Sequence, residues 1–114
     1  MTDCLFCKMV SGVIKPATVY EDADVLAFRD IDPKAPTHVL IVPKRHIPTI
    51  NDLSAADAAL VGKLFLVAKE IAQKDGIAVR GYRTVMNCNA EAGQSVFHLH
   101  LHVLGGRAMH WPPG

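Results

Sequence analysis

The sequence predicts an α+β domain: five short strands in a mostly antiparallel sheet, with one long helix and a short N-terminal helix. Three observations carry that expectation. Histidines alternate strictly with apolar residues over 98–104, which is the mark of a half-buried strand. A single stretch, 54–75, repeats its apolar residues at helical spacing. Elsewhere, short β-branched or aromatic runs are separated by proline, glycine and aspartate, as strands are by turns.

Taken in order, residues 4–11 suit one or two helical turns ending near Gly12, and Lys15-Pro16 is a loop. Strands are expected at 18–21 and 25–29, with Glu21-Asp22-Ala23-Asp24 as the turn between them. Residues 30–37, rich in aspartate and proline, form a structured loop. Residues 38–42 are a β-branched run stopped by Pro43, consistent with a central strand. Ser54 and Asp57 resemble a capping box opening the long helix. Its stripe of Leu60, Leu64, Val67 and Ile71 is widened by Val61, Phe65, Ala68 and Ala72, broad enough for part of it to pack against another subunit. Gly76 suits the position just past the helix end. A strand over 81–87 and a polar loop over 88–95 precede the histidine strand. The tail His110-Trp111-Pro112-Pro113-Gly114 cannot continue a regular element, and its tryptophan suggests docking on a partner.

With 114 residues the chain is one domain, residues 1–114. The net charge of +1 supplies no basic field for nucleic acid, and no apolar run is long enough for a membrane span. Met1-Thr2-Asp3-Cys4 lacks the features of a signal peptide, so a cytoplasmic setting is expected. Three cysteines argue against a disulfide framework. Cys4-Leu5-Phe6-Cys7 is a redox pair, half of a zinc site, or chance. The redox reading wants a preceding strand that three residues cannot supply, and the zinc reading needs two ligands from the six histidines. Cys88 reads as a small buried residue.

On a strand, His98, His100 and His102 emerge on one face, neighbours roughly 6–7 Å apart, with Phe97, Leu99, Leu101 and Val103 turned to the core. Aligned imidazoles suit either a metal or an anion site in which one ring attacks phosphorus while its neighbours hold oxygens and move protons. The bland alternative is a histidine-rich surface strand with no task.

The motif His98-x-His100-x-His102, with Gly93-Gln94-Ser95 before it and Gly105-Gly106-Arg107 and His110-Trp111-Pro112-Pro113-Gly114 after it, resembles the histidine triad (HIT) family, in particular its Hint branch. Phe28-Arg29-Asp30-Ile31, Ala35-Pro36-Thr37-His38 and Pro43-Lys44-Arg45-His46 extend the resemblance over nearly the whole chain. It implies a HIT-like fold in a homodimer whose two sheets join, with the Trp111 tail near the partner. It also implies hydrolysis of purine nucleoside 5′-phosphoramidates and of related aminoacyl or lysyl adenylates at the α-phosphorus. His100 resembles the nucleophile, its other nitrogen expected to bond a main-chain carbonyl. His102 resembles the residue that contacts the phosphate and assists protonation of the leaving amine, and His38 the outer histidine supporting it. Asp30 matches the ribose-binding carboxylate, Ile31 and Phe28 the purine flanks, and Asn87, Gly93, Gln94 and Ser95 the phosphate-end segment. Some bacterial members hold a structural zinc, here implied at Cys4, Cys7, His46 and His98, with no cofactor needed for catalysis. Two other readings stay open: a zinc hydrolase whose catalytic metal sits on His98, His100 and His102, and a nucleotide-binding interaction module.

Overall fold

Five strands lie in the order β1-β2-β3-β5-β4, every neighbouring pair antiparallel, in a computed structural model that describes residues 3–114. The sequence-based reading of Met1 and Thr2 lies outside the described residues. The strands are β1 (Thr18–Glu21), β2 (Val25–Arg29), β3 (Thr37–Pro43), β4 (Tyr82–Val85) and β5 (Leu101–Gly105); the helices are α1 (Leu5–Val10) and α2 (Ala58–Lys74). The α+β reading therefore holds, and the sheet is antiparallel throughout the described residues. No described helix is long and apolar enough to cross a membrane.

Local chemistry sets the element ends. Asp22 makes the β1–β2 turn: its carboxylate accepts the Asp24 and Val25 N–H groups at 2.8 and 2.9 Å, as an aspartate turn does. The Ser54 and Asp57 box is present, although it caps a short 3-10 turn, Ala55–Asp57, that leads into α2. Asp57 also meets Arg45, tying the segment after β3 to the helix start. At the other end Gly76 takes a φ of 74°, and the Ile77 N–H returns to the Ala72 carbonyl at 3.0 Å, closing the helix in a Schellman turn. Asp75, unfavourable at a helix C-terminus, is held there by both Arg29 guanidinium nitrogens and by Thr37 Oγ1.

The sheet has two unlike faces because a strand alternates its side chains. On one face Val25, Ala27, Val39, Ile41, Leu99, Leu101 and Val103 pack against Leu64, Val67, Ala68, Ile71 and Ala72 of α2. Each of the larger side chains contributes about 1.5–3 kcal/mol by leaving water. On the other face Leu26, Phe28, Leu40 and Val42 meet Phe6 of the short α1. Phe65 of the helical stripe is exposed in the single chain, together with Leu66, which leaves an apolar patch on the outer side of α2 uncovered.

Two expected boundaries and one expected burial differ. The strand expected over 81–87 is regular only over Tyr82–Val85. Cys88 is half-buried rather than buried. The strand expected over 98–104 becomes regular only at Leu101, and His98 sits in a bend. The physical reason is a competing partner: the Leu99 N–H donates to Ile47 O at 2.6 Å, pulling residues 98–99 onto the segment after β3. Period two fails before that point, so Phe97 is 47% exposed instead of turned to the core. β5 ends at Gly105, where a Cβ would lie 2.5 Å from Ile77 Cδ1, closer than real Cβ contacts allow.

Candidate active site

His98, His100 and His102 still share the α1 side of the sheet, but they belong to two separate clusters. The hydrogen bonds between them follow from partners that can act in only one sense. A carbonyl only accepts, so His98 Nε2–H donates to Pro43 O at 2.8 Å, and His98 Nδ1 is left as a lone pair. By the same logic His100 Nδ1–H donates to His98 O at 2.8 Å, leaving Nε2 of His100 unprotonated. This is the main-chain acceptor that the sequence led us to expect. A main-chain N–H only donates, and Lys34 N–H donates to His38 Nδ1 at 3.0 Å. The His38 hydrogen is thus on Nε2, which donates to His102 Nδ1 at 2.9 Å. That fixes the last hydrogen on His102 Nε2.

Burial keeps these rings neutral. It lowers the pKa of His38, His98 and His100 below the ordinary imidazole value and depresses His102 to about 4, with neighbouring rings adding to the effect on His102. Asp30 Oδ2 stands 3.5 Å from His38 Nε2 and offsets part of that shift. Phe6 lies edge-on to His100, ring centres 5.1 Å apart, and His100 lies 5.0 Å from His102.

A cavity of about 390 Å³ opens in front of His100 and His102. Of the sequence-derived residues it is lined by Phe28, Asp30, Ile31 and Ser95 as well. Ile31, which lines it, is 98% exposed. Asn87 and Gly93 do not line it, nor does Gln94. Gln94 is instead a scaffold of its loop: its side-chain oxygen accepts the Asn89 N–H, and its amide donates to Pro48 O and Val96 O. The sequence missed much of the apolar wall, namely Leu5, Phe6, Met9, Ile14, Pro16, Leu40 and Val96. Phe6, inside the Cys-x-x-Cys spacing, was the available signal, since that spacing sends it to the opposite side from the thiols.

The second cluster joins Cys4, Cys7, His46 and His98, whose donor atoms all lie within 4.8 Å of one another. Cys4 is the N-cap of α1 and Cys7 lies in its first turn, so both sulfurs reach one side. Cys4 Sγ and Cys7 Sγ stand 3.3 and 3.5 Å from His98 Nδ1, and His46 Nδ1 is 3.3 Å from Cys7 Sγ and 3.1 Å from His98 Nδ1. A tetrahedral zinc with bonds of about 2.0–2.3 Å has ligand-to-ligand edges of about 3.3–3.8 Å. The donor spacings of 3.1–3.5 Å lie close to those edges, so these residues fit such an ion. His98 Nδ1 already presents a lone pair, oriented by the Pro43 carbonyl behind the ring. Burial, and then the hydrogen bond with Cys4, pushes the Cys7 thiol up. By contrast His98, His100 and His102 do not converge: His98 Nδ1 faces the thiols and His100 Nδ1 is spent on a carbonyl. A catalytic metal on those three rings has no donor set here.

Comparison with known proteins identifies the family. The HIT domain matches residues 11–109. The purine nucleoside phosphoramidase of Escherichia coli K12 is 48% identical over 107 residues, covering 94% of this chain and 90% of that protein. A HIT-like protein of Synechocystis is 50% identical over 98% of this chain and 97% of its own. Among solved structures, a HIT family hydrolase from Legionella pneumophila superposes with a TM-score of 0.97 at 54% identity, covering 98% of this chain and all of that one. A histidine triad protein from Clostridium difficile gives 0.93 at 40% identity, with 96% of each chain covered. The chain belongs to the HIT domain family.

Proposed function

We propose that this protein hydrolyses purine nucleoside 5′-phosphoramidates, and related adenylates with an aminoacyl or lysyl leaving group, through a nucleotidyl group carried on His100. One observation carries the reading: His100 Nδ1–H is bound to His98 O, so a lone pair remains on Nε2 in a ring that lines the cavity. A neutral imidazole nitrogen attacks phosphorus without a separate base. The bond from Nε2 to phosphorus forms as the bond to the amine nitrogen breaks, and the amine departs with a proton taken up from solvent by way of the Ser95 hydroxyl. His102 Nε2–H donates to a phosphate oxygen, stabilising the charge that builds there. In the second half, water attacks phosphorus and the bond to His100 breaks. Nucleoside monophosphate and one proton are released, and the ring returns to its starting state.

Asp30, an acceptor-only carboxylate at the cavity edge, takes the two ribose hydroxyls. Phe28 and Ile31 hold the base between them. The name of the E. coli relative supports the substrate class. Asn87 and Gly93 would act from beside the cavity on the phosphate end, through the loop that Gln94 braces.

Cys4, Cys7, His46 and His98 would hold a structural zinc, which pins α1 to the sheet and takes no part in turnover. Two copies would pair through the apolar outer side of α2 and the β4 edge, with the exposed Trp111 reaching toward the partner. The three free thiols suit a reducing cytoplasm.

The test is a trapped intermediate. Incubation with adenosine 5′-phosphoramidate, quenched in denaturant at neutral pH, should leave one nucleotidyl group on His100 by mass spectrometry, and none in His100→Ala. An adduct on another residue overturns the assignment. A purely binding role would show unaltered protein and no released amine.

A further inference from the structure

We infer that Lys15 reads the base, and that it makes the cavity favour guanosine over adenosine substrates. This rests on the nucleotide reading above. The sheet register supplies the geometry: His102 on β5 pairs with Leu40 on β3, Leu40 with Phe28 on β2, and Phe28 with Thr18 on β1. These four positions form a line across the sheet, three strand spacings long, or roughly 14 Å, and His102, Leu40 and Phe28 line the cavity. His100, His102 and Ser95 line the cavity, as do residues 14–17, which lead into Thr18 at the far end of that line. The Ala17 carbonyl accepts the Arg29 N–H at 3.0 Å, so that far segment is fixed against β2 and Phe28. A nucleotide with its phosphorus at His100 and its ribose at Asp30 therefore lays its base over Phe28 and directs its outer edge toward Lys15.

Polar groups in the cavity are otherwise accounted for. His100, His102 and Ser95 serve the phosphate, Asp30 serves the ribose, and the Arg29 guanidinium is held by Asp75. Lys15 is exposed, and none of the ion pairs among the described residues uses it. Around it the wall is apolar: Met9, Ile14, Pro16, Ile31. A lysine ammonium offers donors and no acceptor. Guanine presents two adjacent acceptors, O6 and N7, whereas adenine presents one acceptor beside the N6 donor. A donor-only group at that edge satisfies guanine twice and meets an opposing donor on adenine.

The test compares guanosine, inosine and adenosine 5′-phosphoramidates. Inosine keeps O6 and N7 but lacks the guanine amino group. The wild-type kcat/KM should favour both oxo-purines over adenosine by about fivefold, the lower end for a two-acceptor contact because this site is open to water. Lys15→Met should bring the three within twofold by lowering guanosine and inosine alone, and Lys15→Arg should retain the preference. Equal loss on all three substrates, or an unchanged ratio in Lys15→Met, overturns the inference. Calorimetric binding of GMP, IMP and AMP to both proteins separates the two levels of the reading. A GMP preference erased in Lys15→Met without any turnover sinks the reaction and keeps the base contact. Absence of nucleotide binding sinks both.

Discussion

The two faces of the sheet are made by the same strands and have opposite characters. Toward α2, Leu99, Leu101 and Val103 are buried among aliphatic side chains. Toward α1, the intervening His98, His100 and His102 are also largely buried, but each ring is fixed by a hydrogen bond at one nitrogen. The α2 face is closed by a helix of seventeen residues, the α1 face by one of six. A helix that short is marginal alone, so it must be held by something besides its own hydrogen bonds. In the proposed reading stability sits on one face and chemistry on the other, with the Cys4, Cys7, His46 and His98 cluster clamping α1 to the sheet.

The largest effect that would sharpen this division comes from paired substitutions on opposite faces. His100→Ala should lower phosphoramidate turnover by at least about 10⁴-fold, as loss of a nucleophile does, with a melting temperature within a few degrees of wild type. Leu64→Ala should cost about 2–5 kcal/mol of stability in urea unfolding while kcat of the folded fraction stays near wild type. A Leu64→Ala enzyme that is stable but inactive would break the division.

A smaller effect is expected at the clamp. Metal analysis of protein purified without chelator should find close to one zinc per chain, and Cys4→Ser should abolish it. Chelation should lower the melting temperature while leaving most of kcat at a temperature where the protein stays folded. Complete, immediate loss of kcat on chelation with the fold intact would assign the metal to the chemistry instead.

The smallest effect is a pH dependence confined to the histidine face. His38, His100 and His102 have folded-state values below the ordinary 6.5, with His102 at about 4. The unfolded chain therefore binds more protons between those limits, and stability is complete above about 6.5 and declines as pH falls toward 4. Urea midpoints across that range should show the decline, and His102→Asn should flatten it. Activity should keep its plateau to below pH 6.5, because the nucleophile stays neutral there. A midpoint that rises on acidification would contradict the burial of neutral rings.

Much of this was legible from letters alone where a local rule governs. The β1–β2 turn follows from Asp22, the α2 boundaries from Ser54, Asp57 and Gly76, and the catalytic side of β5 from alternation. What escaped depends on contacts distant in sequence. The bend at His98 arises from hydrogen bonds to Pro43 and Ile47, more than fifty residues away, which no periodicity encodes. The exposure of Phe97 follows from the same bend. The motif places Gln94 among the ligand contacts, yet its partners Pro48, Asn89 and Val96 make it a brace. The cavity's apolar wall comes from α1 and from residues 14–17, whose pattern looks like ordinary surface until the sheet register brings them opposite His102.

The central claim is a proton arrangement, and nitrogen-15 NMR of histidine-labelled protein at pH 7 reads it directly. His100 should carry its hydrogen on Nδ1 with an unprotonated Nε2, and His102 should carry its hydrogen on Nε2. A His100 that carries a hydrogen on Nε2, alone or together with Nδ1, would leave no nucleophile facing the cavity and contradict the account.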